Sequence, residues 1–215
     1  MSSLSVFSQT MIELQGATTM SNSLPTSNSA LLWATIKQTH KTPYHRHGLS
    51  ILYMSKFEDG NDPEFKSLTT STFTSKILVG RYYYSLPGKS IYSEHGWYAG
   101  LQAYPSSTDM KLSPRIAGYW SGYYSATGNM FPRKDWYILA EYGLFKKYWY
   151  IAEFIFKPTE RFGYGFYSQA FQVTGLRVQS HITKHFLVSV NGGWNFTAHQ
   201  KGFFVGLKYN STPQF

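Results

Sequence analysis

The chain has 215 residues, of which 19% are aromatic and only 14% are charged, and its formal net charge is +9. The charged fraction is well below the roughly 25% of an ordinary soluble domain. The absence of cysteine excludes disulfides and thiolate metal sites. No Lys/Arg run exceeds two residues, so we expect no nucleic-acid partner.

The N-terminal segment 1–29 differs from the rest of the chain. It contains the polar stretch TTMSNSLPTSNS, and Glu13 is the only charged residue before Lys37. This composition predicts a linker, a plug or a disordered segment. The segment also lacks the basic stretch and long apolar run of a secretory signal. We therefore expect a chain from which an upstream signal or domain has been removed.

From residue 30 onward the sequence alternates between strand-like segments and turn signals such as EDGNDPEF and TGNMFPRKD. We predict an all-β domain over 30–215 and no long helix. An even number of neighbouring strands is typical of an up-and-down, antiparallel, closed β-barrel. We predict about ten strands, within a range of about 8 to 12. The candidates are 30–40, 48–57, 72–86, 96–104, 114–126, 135–145, 148–157, 163–178, 185–197 and 201–210.

Two carboxylates interrupt the apolar candidates 135–145 and 148–157. Alternation places Glu141 and Glu153 on one face of the sheet and leaves the other face apolar. A tight turn at 146–148 would set the two carboxylates directly opposite each other. They would then repel unless a cation or a proton lies between them.

Three cations fall on the polar faces of other strands and are the available partners: Arg81, Arg115 and Lys208. We consider an ion network that fills the barrel, a charged constriction that lines a pore, and a carboxylate pair for acid–base hydrolysis. Nothing else in the sequence supports hydrolysis, so we predict no catalytic residue. His45 and His47 lack a third ligand at a recognisable spacing, so we expect neither a metal nor another cofactor.

Alternation alone also fits a soluble lipocalin-like barrel or a β-sandwich, whose apolar faces point inward and hold an apolar ligand. Two features favour a lipid bilayer. The apolar faces run for about ten residues, the length of a tilted membrane strand. Trp97, Trp136 and Tyr148 lie near strand ends, as an interfacial aromatic girdle requires.

With these features the chain resembles bacterial outer-membrane β-barrel proteins over about residues 30–210. Such proteins commonly end in a strand of alternating apolar residues that closes on a terminal Phe. The segment GFFVGLKYNSTPQF supplies Phe203, Val205, Leu207, Tyr209 and Phe215. The NSTPQ insertion departs from that pattern, and residues 58–71 form a long link where a short periplasmic turn is expected. The resemblance implies a bacterial outer-membrane location, in contact with the lipid bilayer and lipopolysaccharide.

We therefore expect an integral outer-membrane barrel that serves as a pore or transporter, or as a structural anchor beside other envelope proteins. The net charge of +9 suggests anionic solutes or polysaccharide as cargo. A soluble module that binds an apolar ligand is the alternative. A lipid-modifying enzyme embedded in the membrane is a third hypothesis, without positive evidence in the sequence.

Overall fold

The computed structural model describes residues 5–21, 24–41, 46–58, 72–86, 91–105, 110–143, 148–170, 173–196 and 199–211. Side chains are described over 10–16, at 32, 34 and 36, and over 91–101, 112–143, 148–170, 173–196 and 199–211. Within these ranges every regular element is a β-strand. No helix in the described part of the chain is long and apolar enough to cross a membrane.

Twelve strands are present in the described residues. They are β1 (Ser5–Ser21), β2 (Leu24–Lys41), β3 (Arg46–Glu58), β4 (Thr72–Leu86), β5 (Ile91–Pro105), β6 (Met110–Tyr124), β7 (Arg133–Gly143), β8 (Tyr148–Lys157), β9 (Phe162–Gln169), β10 (Thr174–His181), β11 (Phe186–Asn195) and β12 (Gln200–Asn210).

Each strand pairs antiparallel with its neighbours in the chain, and β1 pairs with β12 to close the barrel. The closing register runs from Met11 opposite Asn210 to Met20 opposite Lys201. The predicted up-and-down closed barrel is therefore confirmed. The strand number lies at the upper end of the predicted range.

The N-terminal segment is where the sequence prediction was wrong. Residues 1–29 were expected to form a linker, a plug or a disordered segment, but β1 begins at Ser5 and β2 begins at Leu24. Polar residues are compatible with these strands because one face of each strand can point toward a polar barrel interior. Glu13 and Gln15 are buried, whereas Ile12 and Leu14, the residues that alternate with them, are exposed.

A second error concerns the candidate 163–178, which is two strands. The chain reverses between Gln169 and Thr174, and β9 pairs with β10. The added β1 also places each connection between β2 and β9 on the opposite side of the barrel from the one that the ten-strand prediction gave. The long connection between β3 and β4 now joins strand ends opposite to the end where β1 begins and β12 ends.

The two faces of the barrel wall differ in polarity. Inward-facing side chains include buried polar residues such as Ser113, Gln179 and Asn191. Outward-facing positions carry exposed apolar side chains, and on β12 these are Phe203, Val205 and Leu207. This arrangement is the inverse of a soluble barrel, so the alternative with inward-facing apolar faces was wrong. An apolar outer surface of this extent requires an apolar surrounding.

Glycines allow two strands to approach closely at one point of the wall. Gly175 on β10 lies opposite Gly193 on β11. A Cβ atom built at Gly175 would lie 2.2 Å from the Gly192 carbonyl oxygen, and one at Gly193 would lie 2.1 Å from the Thr174 carbonyl oxygen. Only glycine fits such a backbone contact.

We expect that a charge at an outward position near the middle of a strand destabilises the barrel. Val178→Arg on β10 should lower the free energy of unfolding by about 2–4 kcal/mol, because the arginine enters the lipid core. Ile182→Arg, just beyond the end of β10, should cost no more than about 1 kcal/mol. Urea titration of the chain folded into lipid vesicles measures both. Equal effects of the two substitutions would contradict a lipid-facing wall.

Candidate lumenal site

Arg115 and Glu141 form an ion pair inside the barrel. The Nε atom of Arg115 on β6 lies 2.7 Å from Oε1 of Glu141 on β7, and both side chains are fully buried. Arg115 lies opposite Gly143 in the strand register. A Cβ atom at Gly143 would lie 2.2 Å from the Arg115 Cδ atom. The arginine therefore crosses β7 over a position that has no side chain and reaches the carboxylate two residues away.

Glu153 has a different partner, Arg177 on β10. The Arg177 Nη1 atom lies 2.8 Å from Glu153 Oε2, and its Nη2 atom lies 3.9 Å from Glu13 Oε1. The same guanidinium lies over the Tyr167 ring, 5.0 Å from the ring centroid. One buried arginine thus connects β8, β9, β10 and β1.

Glu13 is the centre of a further set of contacts. Gln15 Nε2 donates a hydrogen bond to Glu13 Oε1 over 2.8 Å. Lys208 Nζ, on the neighbouring strand β12, lies 3.8 Å from Glu13 Oε2. Because Glu13 contacts both Arg177 and Lys208, the ion network includes β1 and β12 and therefore lies across the closure of the barrel.

The predicted direct pairing of Glu141 with Glu153 was wrong. Glu141 lies opposite Trp149, and Glu153 lies opposite Tyr137. The two carboxylates share the interior face. Glu153 is nevertheless offset along the ladder, because its partner Tyr137 lies four residues before Glu141 on β7. The ladder ends at Tyr142 and Tyr148, so the connection between β7 and β8 is longer than the expected tight turn. Each carboxylate consequently has its own arginine.

A third ion cluster lies where β7 begins and β8 ends. Asp135 Oδ1 lies 2.8 Å from Arg133 Nε, and its Oδ2 lies 2.7 Å from Lys157 Nζ. The Arg133 guanidinium also lies over the rings of Tyr123 and Phe131, at 5.0 and 4.8 Å. Both oxygens of this carboxylate are therefore held by cations, and one of those cations is held in turn by aromatic rings.

Glu94 on β5 is bound by tyrosines. Its Oε1 accepts a hydrogen bond from Tyr119 over 2.7 Å, and its Oε2 accepts one from Tyr92 over 2.8 Å. Glu94 itself is 5% exposed. Tyrosine hydroxyls are the donors in these two bonds, so this part of the interior wall combines a buried carboxylate with aromatic side chains.

Aromatic and aliphatic side chains extend into the middle of the lumen from the wall formed by β5 to β12. The largest of them are fully or almost fully buried: Tyr98, Tyr119, Leu139, Trp149, Tyr167 and Phe204. The Tyr98 and Tyr119 rings lie 5.3 Å apart, and the Tyr167 and Phe204 rings lie 5.1 Å apart. We call these six side chains the aromatic layer. Barrels of about eight strands fill their interior in this way, whereas those of sixteen or more leave a channel.

A polar cavity of about 250 Å³ opens inside the barrel at the end where β1 begins and β12 ends. We call it the vestibule. Four cations line it, Arg133, Lys157, Arg177 and Lys208, against the carboxylates of Asp135 and Glu153 in the described residues. Lys208 is the most solvent-accessible of these four cations, with 31% of its side chain exposed. Leu139 and Phe204 lie further from this end on their own strands than Asp135 and Lys208 do, so the aromatic layer lies deeper in the lumen.

Of the three predicted cations, Arg115 and Lys208 form ion pairs in the lumen. For Arg81 only the backbone position is described. The structure brings Arg115 to Glu141 and places Lys208 beside Glu13, not beside Glu153. Arg81 lies on β4 opposite Ser50, and its side chain is outside the described set. In the described part of the chain, no group of three His, Asp or Glu side chains could hold a metal.

The sequence analysis missed Glu13, Arg177, Asp135 and Lys157. Glu13 and Gln15 alternate with apolar neighbours in MIELQ, a signal that the polar surroundings of segment 1–29 obscured. Arg177 was missed because 163–178 was read as one strand, although Leu176 and Val178 flank the arginine in the alternating pattern. Asp135 and Lys157 were placed at strand ends and given no role.

These observations define the class of protein. A closed barrel with an apolar outer wall and a polar, ion-paired interior is a transmembrane β-barrel, because only helices and closed barrels satisfy all backbone hydrogen bonds in lipid. An even number of antiparallel strands is typical of bacterial outer-membrane barrels. The fold is therefore that of a transmembrane β-barrel.

Two solved structures are similar to this chain at the level of the barrel. The β-domain of the Bordetella autotransporter BrkA is 9% identical with a TM-score of 0.45, and the match covers 95% of this chain and 98% of that one. OmpF of Salmonella typhi, in complex with daunomycin, is 6% identical with a TM-score of 0.37, covering 95% and 97%. Both scores are low, so neither match bears on function. No family model and no curated protein matches the chain.

We expect the two partners of the buried pair to be energetically coupled. Arg115→Met alone should destabilise the barrel by about 3–5 kcal/mol, because it leaves the Glu141 carboxylate buried without its arginine. Glu141→Leu alone should have a similar cost. The double variant should recover most of the loss, since apolar residues of similar volume can replace a buried pair.

Urea titration in vesicles gives the four unfolding free energies of this double-mutant cycle. The matched control is the pair Arg115→Met and Ser189→Ala, which lie on strands that are not neighbours in the barrel. Their costs should add. Additive costs for the Arg115 and Glu141 substitutions would show that the ion pair is not formed.

Proposed function

We propose that the protein is a narrow channel that passes small anionic solutes across the outer membrane. The vestibule is the observation that carries this proposal. Its lining has more cations than carboxylates, and the low-dielectric wall around it strengthens their attraction for an anion. The net charge of the whole chain has the same sign, but it is the placement of these four cations that supports anion entry.

The aromatic layer supports a small cargo over a polysaccharide. A polymer needs a continuous wide passage, whereas here large side chains extend into the lumen beyond the vestibule from the described wall. A narrow or gated path fits this arrangement better than the open channel of a large porin. Ion pairs with Glu13, Glu153 and Asp135 hold the four vestibule cations in place at the cavity wall.

A structural barrel without conductance is the second candidate. The observation that favours it is that paired charges and packed aromatic rings occupy the lumen along the described wall, which gives a rigid interior. Such a barrel would serve as an anchor for other components of the envelope. Conductance in a planar bilayer separates the two candidates, because an anchor gives none.

We expect Lys208→Gln to reduce anion selectivity. The substitution removes the most accessible vestibule cation, so the reversal potential in a KCl gradient should move toward zero. Lys184→Gln is the matched control, because Lys184 is an exposed lysine in the turn at the same end of the barrel but outside the lumen. A cation-selective wild type, or equal shifts for the two variants, would contradict the proposal.

The vestibule is proposed to face the periplasm. Outer-membrane barrels have short periplasmic turns and longer extracellular loops. The longest connection, between Glu58 of β3 and Thr72 of β4, joins strand ends opposite to the vestibule. The ten-strand prediction lacked β1 and therefore put this long link on the side where short periplasmic turns are expected. With twelve strands, the link lies on the side proposed for the longer extracellular loops.

Cysteine labelling tests the orientation, because the chain has no cysteine of its own. Phe196→Cys, in the turn between β11 and β12, should react with a membrane-impermeant maleimide on intact cells. Lys184→Cys, in the turn at the vestibule end, should react only after the cells are lysed. The reverse pattern would place the vestibule at the cell surface.

A further inference from the structure

A groove of about 600 Å³ lies on the outer wall of the barrel, close to the vestibule end. Outward rings form its sides, among them Trp120, Trp136 and Phe154. Ser93 and Gly122 lie opposite each other on β5 and β6. Ser93 has a small side chain and leaves space on the outer wall, and Gly122 leaves room for the Trp136 ring.

The shape of the groove is fixed by contacts among its own residues. Trp120 Nε1 donates a hydrogen bond to Ser93 Oγ over 2.9 Å. The Trp120 and Trp136 rings lie 5.4 Å apart. A Cβ atom at Gly122 would lie 2.5 Å from the Trp136 Cζ2 atom, so the indole ring lies directly against the glycine. The groove is therefore formed before anything binds in it.

The charge at the groove comes from Lys134. This residue lines the groove and is exposed. Asp135 also lines it, but its carboxylate is held toward the lumen by Arg133 and Lys157. The lining residues thus present a positive charge beside an apolar slot, at the end of the barrel where lipid headgroups lie.

We propose that this groove binds one anionic phospholipid, with an acyl chain lying along the tryptophan rings and the phosphate at Lys134. The outer wall faces lipid, so a lipid chain is the molecule that meets the groove. A lysine at the membrane surface attracts anionic headgroups, and the rings lie where aromatic side chains favour the interface. The site is independent of the lumen and does not depend on the proposed channel.

Native mass spectrometry of the full chain in detergent tests the proposal. Phosphatidylglycerol and phosphatidylcholine with the same acyl chains are added in equal amounts. One phosphatidylglycerol should remain bound at a collision energy that removes the detergent. Lys134→Gln should reduce the preference for phosphatidylglycerol about fivefold, the effect of about one lysine near the surface. Lys184→Gln, at the same end and outside the groove, should leave the preference unchanged.

A second variant tests the groove itself. Ser93→Phe fills its floor and should abolish retention of both lipids, and the gel mobility shift on boiling verifies that each variant is folded. Equal retention of the two lipids by the wild type would overturn the proposal. So would a preference that survives Lys134→Gln, unchanged retention in Ser93→Phe, or displacement of the phospholipid by added lipopolysaccharide or by a second copy of the chain.

Discussion

The closure of β12 on β1 is the constraint on which the rest of the structure depends. In a bilayer an unpaired strand edge leaves a row of backbone N–H and C=O groups without partners, each at a cost of several kcal/mol. The ladder from Met11 opposite Asn210 to Met20 opposite Lys201 removes that edge. Once the sheet is closed, its two faces have different surroundings. Polar side chains then lie inside, and apolar side chains contact the lipid.

Buried charge is tolerated in this interior because each described carboxylate has partners. Glu141 has Arg115, Glu153 has Arg177, Asp135 has Arg133 and Lys157, and Glu94 has two tyrosines. Taking ions out of water is costly, and pairing with good geometry offsets most of that cost. The same pairing holds cations at the vestibule wall. The fold and the proposed selectivity therefore rest on the same ion network.

Alternation of polar and apolar residues was sufficient to predict the barrel and the shared face of Glu141 and Glu153, because strand geometry sends successive side chains to opposite sides. It could not give the register between β7 and β8, which depends on the length of the connection between them.

Alternation also failed to predict β1 and the break between β9 and β10. A strand whose inner face is polar and whose outer face is small or weakly apolar resembles a linker in composition. The partners Arg177 and Glu13 come from strands far apart in the chain, and only barrel closure brings them together.

The central claim is that the apolar face of this barrel points outward into lipid. The most direct test is to purify the chain and record its far-UV circular dichroism and oligomeric state in detergent and in plain buffer. Our account predicts a folded β-sheet spectrum that requires detergent or vesicles, with aggregation when these are removed. A monomer that remains folded in plain buffer would contradict the account, because its apolar faces would then have to point inward.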